Sequence, residues 1–241
     1  MSKFLSELSE NKISLEEGLQ RLLIIANKTS NSDLTKWCIS ELEGYKTFND
    51  LPEYRKVKSR VIYYTGLNGR MQVTNVPLGP GFLKESTLEK IEVIGVFDGI
   101  VTVESNGHSD KPLTRDLTSL AGEVYRNTDE GFGGVQCVSI IQLLPQSMFS
   151  NVCSKVKTRI INLLCAYESA KVDVDKLDIS SNKAAKLSKE NAEVYKTIII
   201  DGQSFSFKQK LIKNFFLHIL IPLIVGVFVG IITFFITKNL K

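Results

Sequence analysis

The apolar and polar positions divide the chain into a helical start, a strand-rich middle, a long helix and an apolar tail. Leu15, Leu19, Leu22, Leu23 and Ala26 fall on one helical face, at the i, i+4, i+7, i+8 spacing of an amphipathic segment. Ser14 and Glu17 stand where a capping box requires them. In that motif the hydroxyl accepts the Glu17 amide and the carboxylate reaches back to the Ser14 amide. After a polar loop at residues 27–32, a second helix starts near Asp33 and carries Leu34, Trp37, Cys38, Glu41 and Leu42. Gly44 follows as a good terminator. Two short amphipathic helices on a short loop predict a helical hairpin packed on something else.

From Tyr54 the period becomes two: Val57, Ser59, Val61 and Tyr63 alternate with Lys56, Lys58, Arg60 and Ile62. Asn68-Gly69 between two β-rich runs predicts a hairpin. Residues 91–97 and 100–104, around Asp98-Gly99, predict a second. Leu117, Leu120 and Val124 predict a short helix over 114–125, and residues 135–143 read as a last apolar strand. The expectation is an antiparallel sheet of about five strands. A helix over 147–170 follows, with Phe149, Val152, Val156, Ile160, Leu163, Leu164 and Tyr167 on one face. Residues 171–191 read as a charged linker or weak helix, and 197–200 with 203–207 as a small final hairpin. The fold class is therefore α+β, with a body at 1–170, a linker and hairpin at 171–207, and a tail at 208–241.

The tail contains residues 215–236, which carry no Asp, Glu, Lys or Arg. An uncharged apolar run of this length reads as a membrane span. Wound as an α-helix it reaches about 33 Å, the thickness of a hydrocarbon core. Lys208, Lys210 and Lys213 precede it without an intervening acid, so the positive-inside bias puts the body on the cytoplasmic side. The N-terminus has no apolar signal-peptide core. The four cysteines show neither a CxxC nor zinc spacing, which fits a thiol-reduced compartment. Within the span, His218, Pro222, Gly226 and Gly230 are each four apart. Gly226 and Gly230 form a GxxxG, a surface on which a second helix can approach closely.

Charge changes the picture only once the tail is set aside. The net charge is +4 over 241 residues, but five of the 30 Lys and Arg and none of the 26 Asp and Glu lie from Lys208 onward. Residues 1–207 then hold 25 cations against 26 acids, a net −1. The basic character belongs to the tail, and a nucleic-acid partner is not expected.

Little in the sequence suggests catalysis. There are two histidines: His108 follows an Asn-Gly turn, and His218 is inside the span. No HExxH, Walker loop or Gly-x-Ser-x-Gly occurs. Asp173, Asp175 and Asp178 lack the spacing of a calcium loop. Gly131, Gly133 and Gly134 precede a strand rather than a helix, a weak phosphate signal. The expectation is no enzyme, no metal and no cofactor. The basic run Arg55, Lys56, Lys58, Arg60, with Tyr45, Tyr54 and Tyr64 nearby, is the one candidate ligand-binding stretch. The competing reading is the wet face of an edge strand, where lysine discourages pairing.

Glu41-Leu-Glu-Gly-Tyr45, followed by Leu51-Pro-Glu-Tyr-Arg55 at the opening of a strand, resembles the AbiTii domain of bacterial abortive-infection systems. The similarity is clearest over residues 3–65. The resemblance implies a bacterial anti-phage protein and supplies no catalytic residues. The added span departs from the domain and points to an effector at the inner membrane. Its activated body would cluster the tails, so the expected partners are the lipid bilayer and further copies of the chain. A signal nucleotide or another defence-system protein is a candidate activator. The alternative is a sensor or binding module whose tail only localises it.

Overall fold

The computed structural model describes residues 1–109, 111–129, 134–176 and 197–199. The long helix α7 (Gln146–Ser169) organises the helical half. All seven apolar residues of its expected face are buried, and Arg159 is buried among them. Around it pack α1 (Lys3–Ser9), α2 (Leu15–Lys28) and α5 (Ile100–Gly107), while α3 (Ser32–Glu43) packs on α2 and α5. Leu19, Leu22, Ile25, Leu34, Val156 and Ile160 form the centre of this core.

The chain end of the body is tied back to its start. Ser2 caps α1 through its hydroxyl, which accepts from the Leu5 amide. The Asp175 carboxylate accepts from Lys3 N at 2.7 Å and Phe4 N at 2.9 Å. A carboxylate over the first N–H groups of a helix satisfies orphan donors and meets the positive end of the dipole. Val172 and Val174 are buried in the same core, and so is Ile198.

The second half is a sheet of order β3-β2-β6-β5, built from β2 (Ile62–Asn68), β3 (Met71–Pro77), β5 (Leu113–Asp116) and β6 (Gln136–Leu144). All its pairings are antiparallel. One face packs on the region of α4 (Glu85–Glu92) and α6 (Ala121–Thr128), with Ile62, Tyr64, Ile91, Val124 and Ile140 in its core. A separate two-stranded ribbon pairs β1 (Lys56–Lys58) with β4 (Val93–Gly95). Gln142 joins ribbon and sheet: it is fully buried, and its Nε2 donates to Ser59 O at 2.8 Å and Ile91 O at 3.0 Å.

Several expectations are met and others corrected. The α+β class, the antiparallel pairing, the Asn68-Gly69 hairpin, the last strand and the long helix are all present. Among the described residues, the single sheet of about five strands is replaced by one of four and a ribbon of two. The expected hairpin around Asp98-Gly99 is absent: residues 100–107 are helical, because Ile100 and Val103 both point into the core while Val101 and Thr102 are exposed. That is a helical period, and packing overrides the strand preference of β-branched residues. The helix over 114–125 begins later, and 113–116 form an edge strand. The alternation after Tyr54 also breaks at Ser59, so Ile62 and Tyr64 turn inward where Val61 and Tyr63 were expected to. The Ser14 half of the capping box forms, but the Glu17 carboxylate takes Arg21 instead. Residues 197–199, expected in a strand, are helical. Residues 200–207, the basic flank and the expected span at 215–236 lie outside the described residues. Among the described residues no helix is long and apolar enough to cross a membrane.

Candidate functional site

The C-terminal half of α3 places Trp37 and Glu41 one turn apart on the side facing the body. Glu41 interrupts an otherwise apolar stripe and is fully buried. Gly44 ends the helix at φ 95, and its position leaves no room for a side chain, since an added Cβ would lie 2.6 Å from Phe97 O. The next amide, Tyr45 N, donates to that same carbonyl at 2.8 Å. The chain then returns through Leu51 and a 3-10 turn at Glu53–Arg55, which aims Tyr54 and Arg55 back at Glu41.

The result is a saturated carboxylate. Glu41 Oε1 accepts from Tyr45 OH at 2.6 Å, Tyr54 OH at 2.6 Å and Arg55 Nε at 3.2 Å, and Oε2 accepts from Arg55 Nη2 at 2.7 Å. Arg55 Nη1 donates to Val96 O at 3.0 Å and Asp98 O at 2.7 Å, so the guanidinium also fastens the chain ahead of α5. Its carbon lies 5.0 Å from the Tyr45 ring centre. Trp37 Nε1 donates to Tyr54 OH at 2.8 Å. On the other side, the Arg159 guanidinium stacks 3.8 Å from the Tyr54 ring centre and donates through Nε to Ile199 O at 2.9 Å. A buried ion pair is tolerated only when its geometry is good and its remaining donors are satisfied, and both conditions hold here.

The electrostatics make this cluster rigid rather than reactive. Burial, and next the charge of Glu41, push the Tyr45 and Tyr54 phenols far above their ordinary range, so both remain donors. Burial works against the Arg55 charge, but Glu41 outweighs it and holds the guanidinium protonated. Burial also pushes the Cys38 thiol far up, and Cys153 up to about 11. A thiol needs its thiolate to act as a nucleophile, so neither is activated. A cleft of about 440 Å³ opens beside the cluster, lined by Trp37, Tyr45, Leu51, Pro52, Lys56 and Ile199 among others.

The structure separates the four members of the basic run. Arg55 is the largest fully buried side chain among the described residues. Lys56 pairs with Glu53 at 2.6 Å and lies over the Phe48 ring. Lys58 and Arg60 share Glu92, and Arg60 also reaches Glu85 at 3.0 Å. Pro222, Gly226, Gly230, Lys208, Lys210 and Lys213 lie outside the described residues. His108 is exposed at the end of α5. Asp173 holds a local turn by accepting from Asp175 N, and Asp175 caps α1. Among the described residues no group of His, Cys, Asp or Glu is arranged to hold a metal. Sequence reasoning missed Arg159; a cation inside the apolar stripe of α7, like the acid Glu41 inside that of α3, is the signal of a buried charge that needs a partner.

Glu41, Tyr45, Leu51 and Arg55, the ends of the two stretches that carried the resemblance, all belong to this cluster or its loop. The AbiTii family model matches residues 1–192. The chain belongs to the AbiTii family. The match extends well past the opening stretch and takes in the sheet, α7 and the α1 clamp. No curated protein and no solved structure matches this AbiTii chain.

Proposed function

We propose that this AbiTii protein is an abortive-infection effector held at the bacterial inner membrane by one C-terminal helix, with its body in the cytoplasm. Family membership supports the role in anti-phage defence. The observation that carries the membrane part is the uncharged run at 215–236, flanked by Lys208, Lys210 and Lys213. One helix cannot line a pore, so disruption of the bilayer requires copies to associate, and Pro222, Gly226 and Gly230 are the proposed contact stripe. No catalytic role is assigned to the body; the Glu41–Arg55 cluster is a joint between α3, the 45–55 loop and the chain ahead of α5. A second reading, a tethered binding module, draws on the cleft beside Trp37 and Tyr45. Its occupant would be a signal nucleotide or a protein of the same defence system.

Deleting residues 211–241 separates the two. The effector reading expects a soluble protein that neither protects infected cells nor depolarises them. Full protection by the truncated chain would favour the binding module.

A further inference from the structure

Residues 197–199 sit where the body meets the chain leading to the tail. Ile198 is 1% exposed and belongs to the same core as α7. Ile199 packs against that core, offers its carbonyl to Arg159 Nε at 2.9 Å, and forms one wall of the cleft shared with Trp37, Tyr45 and Leu51. Arg159 in turn stacks on Tyr54, whose hydroxyl donates to Glu41. This short piece of chain is therefore linked to the buried cluster through the Arg159 guanidinium. Lys208 follows it by nine positions.

We propose that residues 197–199 are a releasable latch that holds the tail-proximal chain on the body, and that its undocking is the activating step. The proposal rests on the effector reading above and names its regulation. A three-residue unit seated through the buried Ile198 and a charge-assisted hydrogen bond from Arg159 can open locally while α3 and α7 stay folded. Docked, it holds the chain at residues 197–199 on the body. Released, it opens the wall of the cleft and lets copies bring their tails together. An activator that fills the cleft against Trp37 and Tyr45 competes with Ile199 for the same space.

The test uses the full chain in lipid vesicles and in cells. Ile198→Asp and Arg159→Lys should each speed hydrogen exchange at 197–199 by about tenfold or more, the loss of one hydrogen bond to a charged group. Exchange in α3 and the centre of α7 should stay slow. Both variants should release vesicle dye and depolarise uninfected cells, which the parent should not. A soluble peptide carrying residues 194–203 should compete for the seat and have the same effect on the parent. It decides the matter if Ile198→Asp loses protection throughout the body. Faster exchange without release, or unchanged exchange with both variants and the peptide, overturns the latch. If the infected parent depolarises cells and the uninfected variants do not, the latch alone fails. If the parent never depolarises cells under infection, the effector reading fails and takes the latch with it.

Discussion

Arg55 clasps Glu41 with both side chains fully withdrawn from water, at 2.7 Å between Nη2 and Oε2. The two are 14 positions apart and close the loop between α3 and β1. Because the pair is saturated, removing one member strands the other. Arg55→Met is expected to cost about 3–5 kcal/mol, the penalty for an unpaired buried charge. Glu41→Gln combined with Arg55→Met should recover part of that loss, since neither charge then remains. Urea unfolding of the full chain in detergent measures both. Equal loss in the single and double variants would mean that shape, not charge, dominates.

Two glycines should respond in opposite directions to the same substitution. At Gly66 an added Cβ would meet Gln136 O at 1.9 Å, so β2 and β6 would have to separate at their register shift. Gly66→Ala is expected to destabilise by about 1–3 kcal/mol. Gly122 lies inside α6 with only the end of the Arg126 side chain near its added Cβ. Gly122→Ala should stabilise by about 0.5–1 kcal/mol through helix preference alone. Unfolding midpoints of the two variants against the parent check the signs.

Glu92 provides a pH test. Hydrogen bonds from Lys58 and then Arg60 hold its carboxyl below the ordinary value of 4.5. A carboxyl lowered in the folded state stabilises it fully above the unfolded value, and that contribution is lost as pH falls through the folded one. Parent and Glu92→Gln should therefore differ most near neutral pH and converge in acid below 4.5. A stability gap that stays constant across an acid titration would show that the carboxylate charge contributes nothing.

The parts of the fold that could be read from sequence are those fixed by local spacing. The seven apolar residues of α7 repeat over about five turns, and the Asn68-Gly69 turn names its own hairpin. What could not be read depends on partners distant in the chain. Ile100 to Val103 is a β-branched run that becomes helix because its buried pair meets α7. Arg55 looked like the first cation of a wet strand, and its burial follows only from Glu41 on α3 and two carbonyls beyond β4. The candidate site was half visible: the motif residues were in view, but their convergence was not. Arg159 entered from a helix more than a hundred positions away from its stacking partner Tyr54.

The proposed topology rests on the lysines before the apolar run. If the proposed topology holds, with Lys208, Lys210 and Lys213 on the cytoplasmic side, protease added to intact spheroplasts should leave residues 1–207 uncut, while the same protease after lysis should reach the exposed loops. Digestion of the body from outside would place it in the periplasm and remove the positive-inside argument.

The proposed contact stripe makes the sharpest demand on the tail. Gly226 and Gly230 are four apart, so on a helix they leave a shallow groove on one side. In lipid, helices gain little from apolar burial, and close packing at such grooves supplies the association. Gly226→Ile with Gly230→Ile fills the groove while keeping the run apolar and long enough to insert. Normal insertion is expected, together with weaker tail–tail association and loss of membrane disruption. Cysteines placed beside the stripe report association by disulfide formation, in a background where Cys38, Cys137, Cys153 and Cys165 are replaced and the body's fold is verified by its unfolding transition. If the double variant crosslinks and kills as the parent does, the stripe is not the contact. The tail would then serve as an anchor, and the oligomer would have to be built by the body.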